Sequence, residues 1–216
     1  MVKPDSSVTH LFLDLDGTLI NSLPRLRNIY HDFLSDYKIE GSNQEFDELK
    51  TSSIEKLIEY FKVKYSITHP SHHLKKQYEK YLQKHYFKAP LFKGVREFLI
   101  DAKDKGYKLI LTTANQKTYA QKILNFHKLD EYIQDVYTPY CFEFKQKNDL
   151  FYKRVIGELD LNPKDALVID DSLEVISCSI KSGLRAVLFS KITYHPVPCF
   201  GSWKILLKQW TNYVFR

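Results

Sequence analysis

The 216-residue sequence predicts an α/β fold with a parallel sheet and a small all-helical domain inserted near its start. Three observations carry this. Leu11-Phe12-Leu13-Asp14-Leu15 is a short apolar run closed by Asp16, Gly17 and Thr18, as expected of a strand buried on both faces that ends in a sharp turn. Further apolar runs, Tyr107–Thr113, Ala166–Ile169 and Arg185–Phe189, alternate with segments of helical period, the signature of βαβ units. Residues 19 to about 90 break this rhythm, with helical periodicity and no good strand.

In chain order, Leu26, Ile29, Tyr30 and Phe33 recur at helical spacing. Ser52-Ser53-Ile54-Glu55 has capping-box spacing ahead of Ile54, Leu57, Ile58 and Phe61, and another helix is expected from about Ser71 to His85. We therefore expect residues 1–20 and 90–216 to form the α/β core and 21–89 the helical domain. Past Gly94, Val95, Phe98, Leu99 and Ala102 mark a helix that Gly106 stops. After the strand Tyr107–Thr113 comes a helix carrying Ala120, Ile123, Leu124 and His127, then a weaker strand over Val136–Tyr140. A helix with Phe151, Val155 and Leu159 leads to the strand ending at Asp170-Asp171-Ser172, and a further helix reaches Gly183. Beyond Arg185–Phe189, His195–Pro198 reads as a loop and Trp203–Trp210 as a closing helix.

Hydrophobic residues at 44% and charged residues at 27% suit a globular chain with one sizeable core rather than a disordered one. No apolar run approaches a membrane span, and Met1–Asp5 lacks a signal-peptide core, so a cytoplasmic location without membrane association is expected. Cys141, Cys178 and Cys199 form no C-x-x-C pair, which argues against a disulfide framework and a structural zinc site. The net charge of +6 is spread without a compact basic block, so no nucleic-acid partner is expected. His69 and His73 share a helix face, but no acidic residue or cysteine nearby completes a metal set. No glycine-rich phosphate loop occurs.

Strand ends of a parallel sheet lie side by side, which gathers Asp14, Asp16, Thr113, a lysine from Lys145 or Lys147, and Asp170 with Asp171 at one edge. Carboxylates crowded together repel unless a cation intervenes, and oxygen ligands suit Mg²⁺, which also takes phosphate oxygens. The expected partner is a small phosphorylated molecule.

On these residues the chain resembles the haloacid dehalogenase superfamily, in its subgroup with a helical cap after the first motif, and is most similar to phosphoglycolate phosphatases. Leu11–Pro24 resembles the family's first motif, Leu109–Asn115 the second, Lys145–Phe151 the third and Val168–Ser172 the fourth. Leu91–Val95 looks like the return from cap to core. The resemblance implies a Rossmann-like core and a Mg²⁺-dependent phosphatase. Asp14 would attack phosphorus to give an aspartyl-phosphate, and Asp16 would act as general acid and then general base. Asp14, the Asp16 carbonyl and Asp171 would hold the metal, with Asp170 completing or orienting the shell; the reverse order of Asp170 and Asp171 stays open. Thr113 and the Ala114 amide, or Thr112 if the strand is offset by one, would bind phosphate. Lys145, preferred over Lys147 for its spacing to Asp149 and Phe151, would balance charge, and Gly17, Thr18 and Asn115 would support the site.

Asp16 favours phosphate over halide chemistry, since a departing halide needs no proton. The third motif departs from the family's K-P-x-P-D, and Val175 stands where relatives carry an acid, with Glu174 adjacent. Alternative readings are a phosphomutase on the same scaffold, a phospho-accepting signalling domain, and a catalytically idle binding relative. Substrate and oligomeric state are not encoded in any motif.

Overall fold

The computed structural model describes residues 8–50, 52–190 and 198–206. These divide into two compact units, Met1–Ile20 with Leu91–Arg216, and Asn21–Pro90.

The first unit is an α/β layer structure. Six strands, β1 (His10–Leu13), β2 (Lys108–Thr112), β3 (Ile133–Tyr137), β4 (Ala166–Asp170), β5 (Arg185–Phe189) and β6 (Cys199–Phe200), form one sheet in the order β3-β2-β1-β4-β5-β6. Every neighbouring pair is parallel. Parallel neighbours require crossovers, which α5 (Val95–Asp104), α6 (Lys117–His127), α7 (Asp149–Glu158) and α8 (Leu173–Lys181) supply. β1 is buried along its whole length, which explains its unbroken hydrophobic spelling. Phe12, Ile110 and Val168 on neighbouring strands pack with Phe151, Tyr152 and Val155 of α7 and Ile176 of α8 in one core.

Three local expectations shift. The third strand is Ile133–Tyr137 rather than Val136–Tyr140, because Pro139 opens a 3₁₀ turn over Pro139–Phe142 and cannot donate to the ladder. β6 answers to no pattern in the sequence: two residues carry no periodicity, and the strand exists only through its pairing with Leu188 and Phe189. Trp203–Leu206 begin a helical turn, while residues 207–210 of the expected closing helix, 195–197 of the expected loop, and Met1–Asp5 lie outside the described residues. Trp203 is fully buried, packs at a tilt against Phe98 with 4.7 Å between centroids, and donates from Nε1 to the Thr18 carbonyl at 2.8 Å. A segment from the end of the chain thus anchors the first acidic loop.

The second unit contains α1 (Leu23–Ser35), α2 (Asn43–Leu49), α3 (Ile54–Tyr65) and α4 (Ser71–Tyr81), and the chain continues from α4 into a π-helical turn over Leu82–Tyr86. No strand occurs among its described residues. The cap of α3 is Ser53, whose side chain accepts from the Lys56 amide, one residue later than the Ser52–Glu55 box predicted. With serine at both positions, the spacing to Glu55 favoured the wrong one. Tyr30, Phe33, Phe61 and Tyr78 make an aromatic core, with Phe33 within 6 Å of both Phe61 and Tyr78. The aromatics that look abundant in the sequence are therefore largely packing residues.

Candidate active site

Register sets the site. Leu13 lies opposite Leu111 of β2 and Ile169 of β4, so the next residue of each strand, Asp14, Thr112 and Asp170, comes level at the C-terminal edge of the sheet. The Asp14 amide continues the ladder by donating to the Ile169 carbonyl at 3.0 Å. Ligands of open parallel sheets bind at this edge.

One lysine ties these three levels together. Lys147 Nζ donates to Asp14 Oδ1 at 2.5 Å, Asp170 Oδ2 at 2.6 Å and the Thr112 carbonyl at 3.2 Å. Lys147, Asp14 and Asp170 are all buried. This corrects the choice from spacing: Lys145 is exposed and Lys147 is the lysine at the carboxylates. The local cause is a tight turn, in which the Asn148 amide donates to the Gln146 carbonyl at 3.0 Å with Lys147 at its apex. Asn148 then caps α7, its side chain accepting from the Phe151 amide at 2.9 Å, and this pins Lys147 one residue before the cap.

Asp171 follows β4 directly. One oxygen from each of Asp14, Asp170 and Asp171 lies within 4.8 Å of the other two. Three carboxylates thus face one ammonium, and every donor is a hard oxygen, a set that fits a hard divalent cation and not a soft metal. Both Asp170 oxygens already receive donors, Lys147 on Oδ2 and the Ser172 amide on Oδ1 at 2.9 Å. Glu174 is exposed on the first turn of α8 and stands outside this cluster.

The electrostatics follow from burial and crowding. Burial pushes the Asp14 carboxyl well above the usual range; Lys147 opposes this, while Asp170 and Asp171 add to it. Burial works against the Lys147 charge, but Asp14 and Asp170 outweigh it and hold the ammonium well above its ordinary value. The Asp171 residue is exposed, yet desolvation of its carboxyl, then Asp170, push its pKa up to about 6.

The acidic loop is wound tightly. Leu19 and Ile20 amides both donate to the Leu15 carbonyl at 2.9 Å, and Gly17 donates to the Ile20 carbonyl at 2.9 Å. Gly17 has φ +81°, and a Cβ there would lie 2.0 Å from Asp171 Oδ2, so glycine is required by conformation and by space. Asp16 is half-buried and receives a hydrogen bond from Asn115 Nδ2 at 3.0 Å. Thr18 is buried under Trp203.

At the second strand end, Thr113 is buried, its amide donates to the Tyr137 carbonyl at 3.1 Å and its Oγ1 accepts from the Asn115 amide at 3.2 Å. Ala114 is exposed, and the Thr112 carbonyl is taken by Lys147. Two neighbours went unread in the sequence. The sequence pattern places Trp203 in a closing helix and singles out Phe151, Val155 and Leu159 on α7 but not Tyr152. Tyr152 is fully buried on α7, and desolvation, against a weaker opposing pull from Lys147, keeps its hydroxyl neutral. Position after the cap Asn148 was the available signal for Tyr152; none existed for Trp203.

Residues 11–189 match the model of the haloacid dehalogenase-like hydrolase family. The chain belongs to that family. Pyrophosphatase PpaX of Bacillus cereus is 25% identical to this haloacid dehalogenase-like hydrolase over 197 residues, 85% of this chain and 83% of the relative. Among solved structures, a predicted phosphoglycolate phosphatase from Haemophilus somnus is similar with a TM-score of 0.78 at 20% identity, covering 94% of this chain and 98% of that one. A protein described as a candidate β-phosphoglucomutase from Thermotoga maritima gives 0.81 at 17% identity, covering 94% and 99%. At these identities the structures establish a shared fold. Among the described residues no helix is long and apolar enough to cross a membrane.

Proposed function

We propose that this chain is a Mg²⁺-dependent phosphatase that hydrolyses a small phosphate monoester through a phosphoryl group carried on Asp14. The observation that carries the reading is the meeting of Asp14, Asp170 and Asp171 with one buried lysine at the sheet edge, two residues before a further aspartate that stands outside the cluster. Asp14 attacks phosphorus as the ester bond breaks, and Asp16 protonates the leaving oxygen. Asp16 then takes a proton from the water that attacks the aspartyl-phosphate, and Asp14 is freed. Lys147 neutralises Asp14 before attack and the phosphoryl charge after it. Thr113 and the Ala114 amide would bind a phosphoryl oxygen.

Asp14, the Asp16 carbonyl and Asp171 would hold Mg²⁺, with Asp170 engaged in orienting Lys147. When bound, the ion supplies charge that offsets the carboxylates and the transferring phosphoryl group. We assign substrate choice to residues 21–89, which the chain inserts directly after the acidic loop.

Hydrolysis of 4-nitrophenyl phosphate with Mg²⁺ and its loss in chelator test the reading. Acid-quenched protein should retain phosphate in the wild type and not in Asp14→Asn; undiminished turnover by Asp14→Asn would sink it. The relative described as a β-phosphoglucomutase motivates one product assay: conversion of a hexose 1-phosphate to its 6-phosphate, in place of phosphate release, would favour the mutase.

A further inference from the structure

We infer that Asn115 is a positioning residue that aims the Asp16 carboxylate for proton transfer, an assignment that rests on the phosphatase reading above. Asn115 Nδ2 donates to Asp16 Oδ2 at 3.0 Å, across 99 residues of sequence. The direction of this amide is set locally. Asn115 Oδ1 accepts from the Gln116 amide at 3.0 Å, so the oxygen is engaged on the side of the loop and the NH₂ group is the end presented to Asp16. The residue itself is moored to the second strand end, its amide donating to Thr113 Oγ1 at 3.2 Å while the Thr113 amide is held by the Tyr137 carbonyl at 3.1 Å.

An aspartate carboxyl turns about two side-chain bonds, and that of Asp16 is half-buried. The Asn115 donor holds it by one of its oxygens. It also distinguishes the two oxygens: an NH₂ group donates and cannot accept, so it pairs with an oxygen that carries no proton. Oδ2 is thereby kept as the acceptor, and the transferable proton resides on Oδ1. As the ester O–P bond breaks and the Asp14 O–P bond forms, the Oδ1 proton passes to the departing alkoxide. In the second half, Oδ1 receives the proton of the attacking water as the Asp14 O–P bond breaks. Both transfers use the same oxygen from the same orientation, which one fixed donor secures.

The test compares two leaving groups. An alkyl phosphate such as 2-glycerol phosphate needs a proton on its leaving oxygen, whereas 4-nitrophenolate departs without one. Measuring kcat/KM reports the steps through phosphoryl transfer to Asp14. In Asn115→Ala the ratio of kcat/KM for the aryl ester to that for the alkyl ester should rise about tenfold, a fraction of the 10²–10⁴ that a positioned acid contributes. Asn115→Asp keeps an oxygen for the Gln116 amide but replaces the donor to Asp16 with a like-charged carboxylate, so it should raise the ratio at least as much. Equal losses on both esters in Asn115→Ala, or a wild-type ratio in Asn115→Asp, would overturn the assignment and leave Asn115 as a loop residue. A wild-type protein that hydrolyses neither ester overturns the phosphatase reading, and this assignment with it.

Discussion

Two carboxylates, one in each compact unit, are equally hidden from water and have opposite fates. Asp14 at the sheet edge and Glu45 on α2 are each 5% exposed. Burial opposes ionisation of both. At Glu45 the Tyr65 hydroxyl, which donates at 2.5 Å, and Lys64 at 3.1 Å outweigh that burial and hold the carboxyl below its usual range. At Asp14 burial wins: Lys147 must serve two carboxylates, and Asp170 and Asp171 add repulsion. Hydrogen bonding and one cation are enough for a solitary buried carboxylate. They are not enough for three, and that deficit of positive charge is what the proposed cation would offset.

The largest expected effect breaks the comparison at its active end. Asp14→Asn should lower phosphatase activity by a factor on the order of 10³ or more in steady-state assays, as expected for a lost nucleophile. Its metal-free thermal unfolding should be no lower than that of the wild type at pH 8, because one of three crowded charges has been removed. A lower melting temperature would mean that the Lys147 to Asp14 pair outweighs that crowding.

Lys147→Met ranks next. Leaving Asp14 and Asp170 buried without their ammonium should cost about 3–5 kcal/mol in denaturant titrations. Lys145→Met should fall within about 0.5 kcal/mol of the wild type, as an exposed residue does. Equal effects at the two positions would contradict the turn that directs Lys147 inward.

Glu45→Gln removes the charge that Tyr65 and Lys64 address and should cost about 1–3 kcal/mol at pH 7, read by chemical denaturation. The Glu45 carboxyl gives up its proton more readily folded than unfolded, where its value is 4.5. Its contribution is therefore complete above that range and fades as pH falls through the lower folded value. In Glu45→Gln the acid limb of the stability curve should flatten.

The smallest effect has the opposite sign. Asp171 binds a proton up to about pH 6 in the folded chain but only to about 3.8 when unfolded. Metal-free stability should thus fall as pH rises from about 4 to 6, the window in which the folded state holds the extra proton. Denaturant titrations in chelator at pH 4, 5, 6 and 8 should show that slope in the wild type and its loss in Asp171→Asn. Adding Mg²⁺ at pH 8 should stabilise the wild type more than the variant.

Legibility differed by feature. The Asp14 strand, the Asp170 strand end and the helical insertion could be read because burial on a sheet and on a helix face leave periods of fixed length in the chain. Lys145 and Lys147 could not be told apart by period, since both lie in one loop two residues apart and a three-residue turn decides which points inward. Ser52 and Ser53 posed the same difficulty at a helix start.

What the amino-acid sequence determined by itself is therefore the α/β order, the acidic groups and the oxygen chemistry they share, because short-range patterning and residue type specify them. Only tertiary structure decided that Asp14, Thr112 and Asp170 stand level, that Lys147 spans them, that Trp203 anchors Thr18 and that Asn115 holds Asp16. These are relations between residues up to 185 positions apart. They follow from strand register and loop path, which the whole fold sets and no local pattern records.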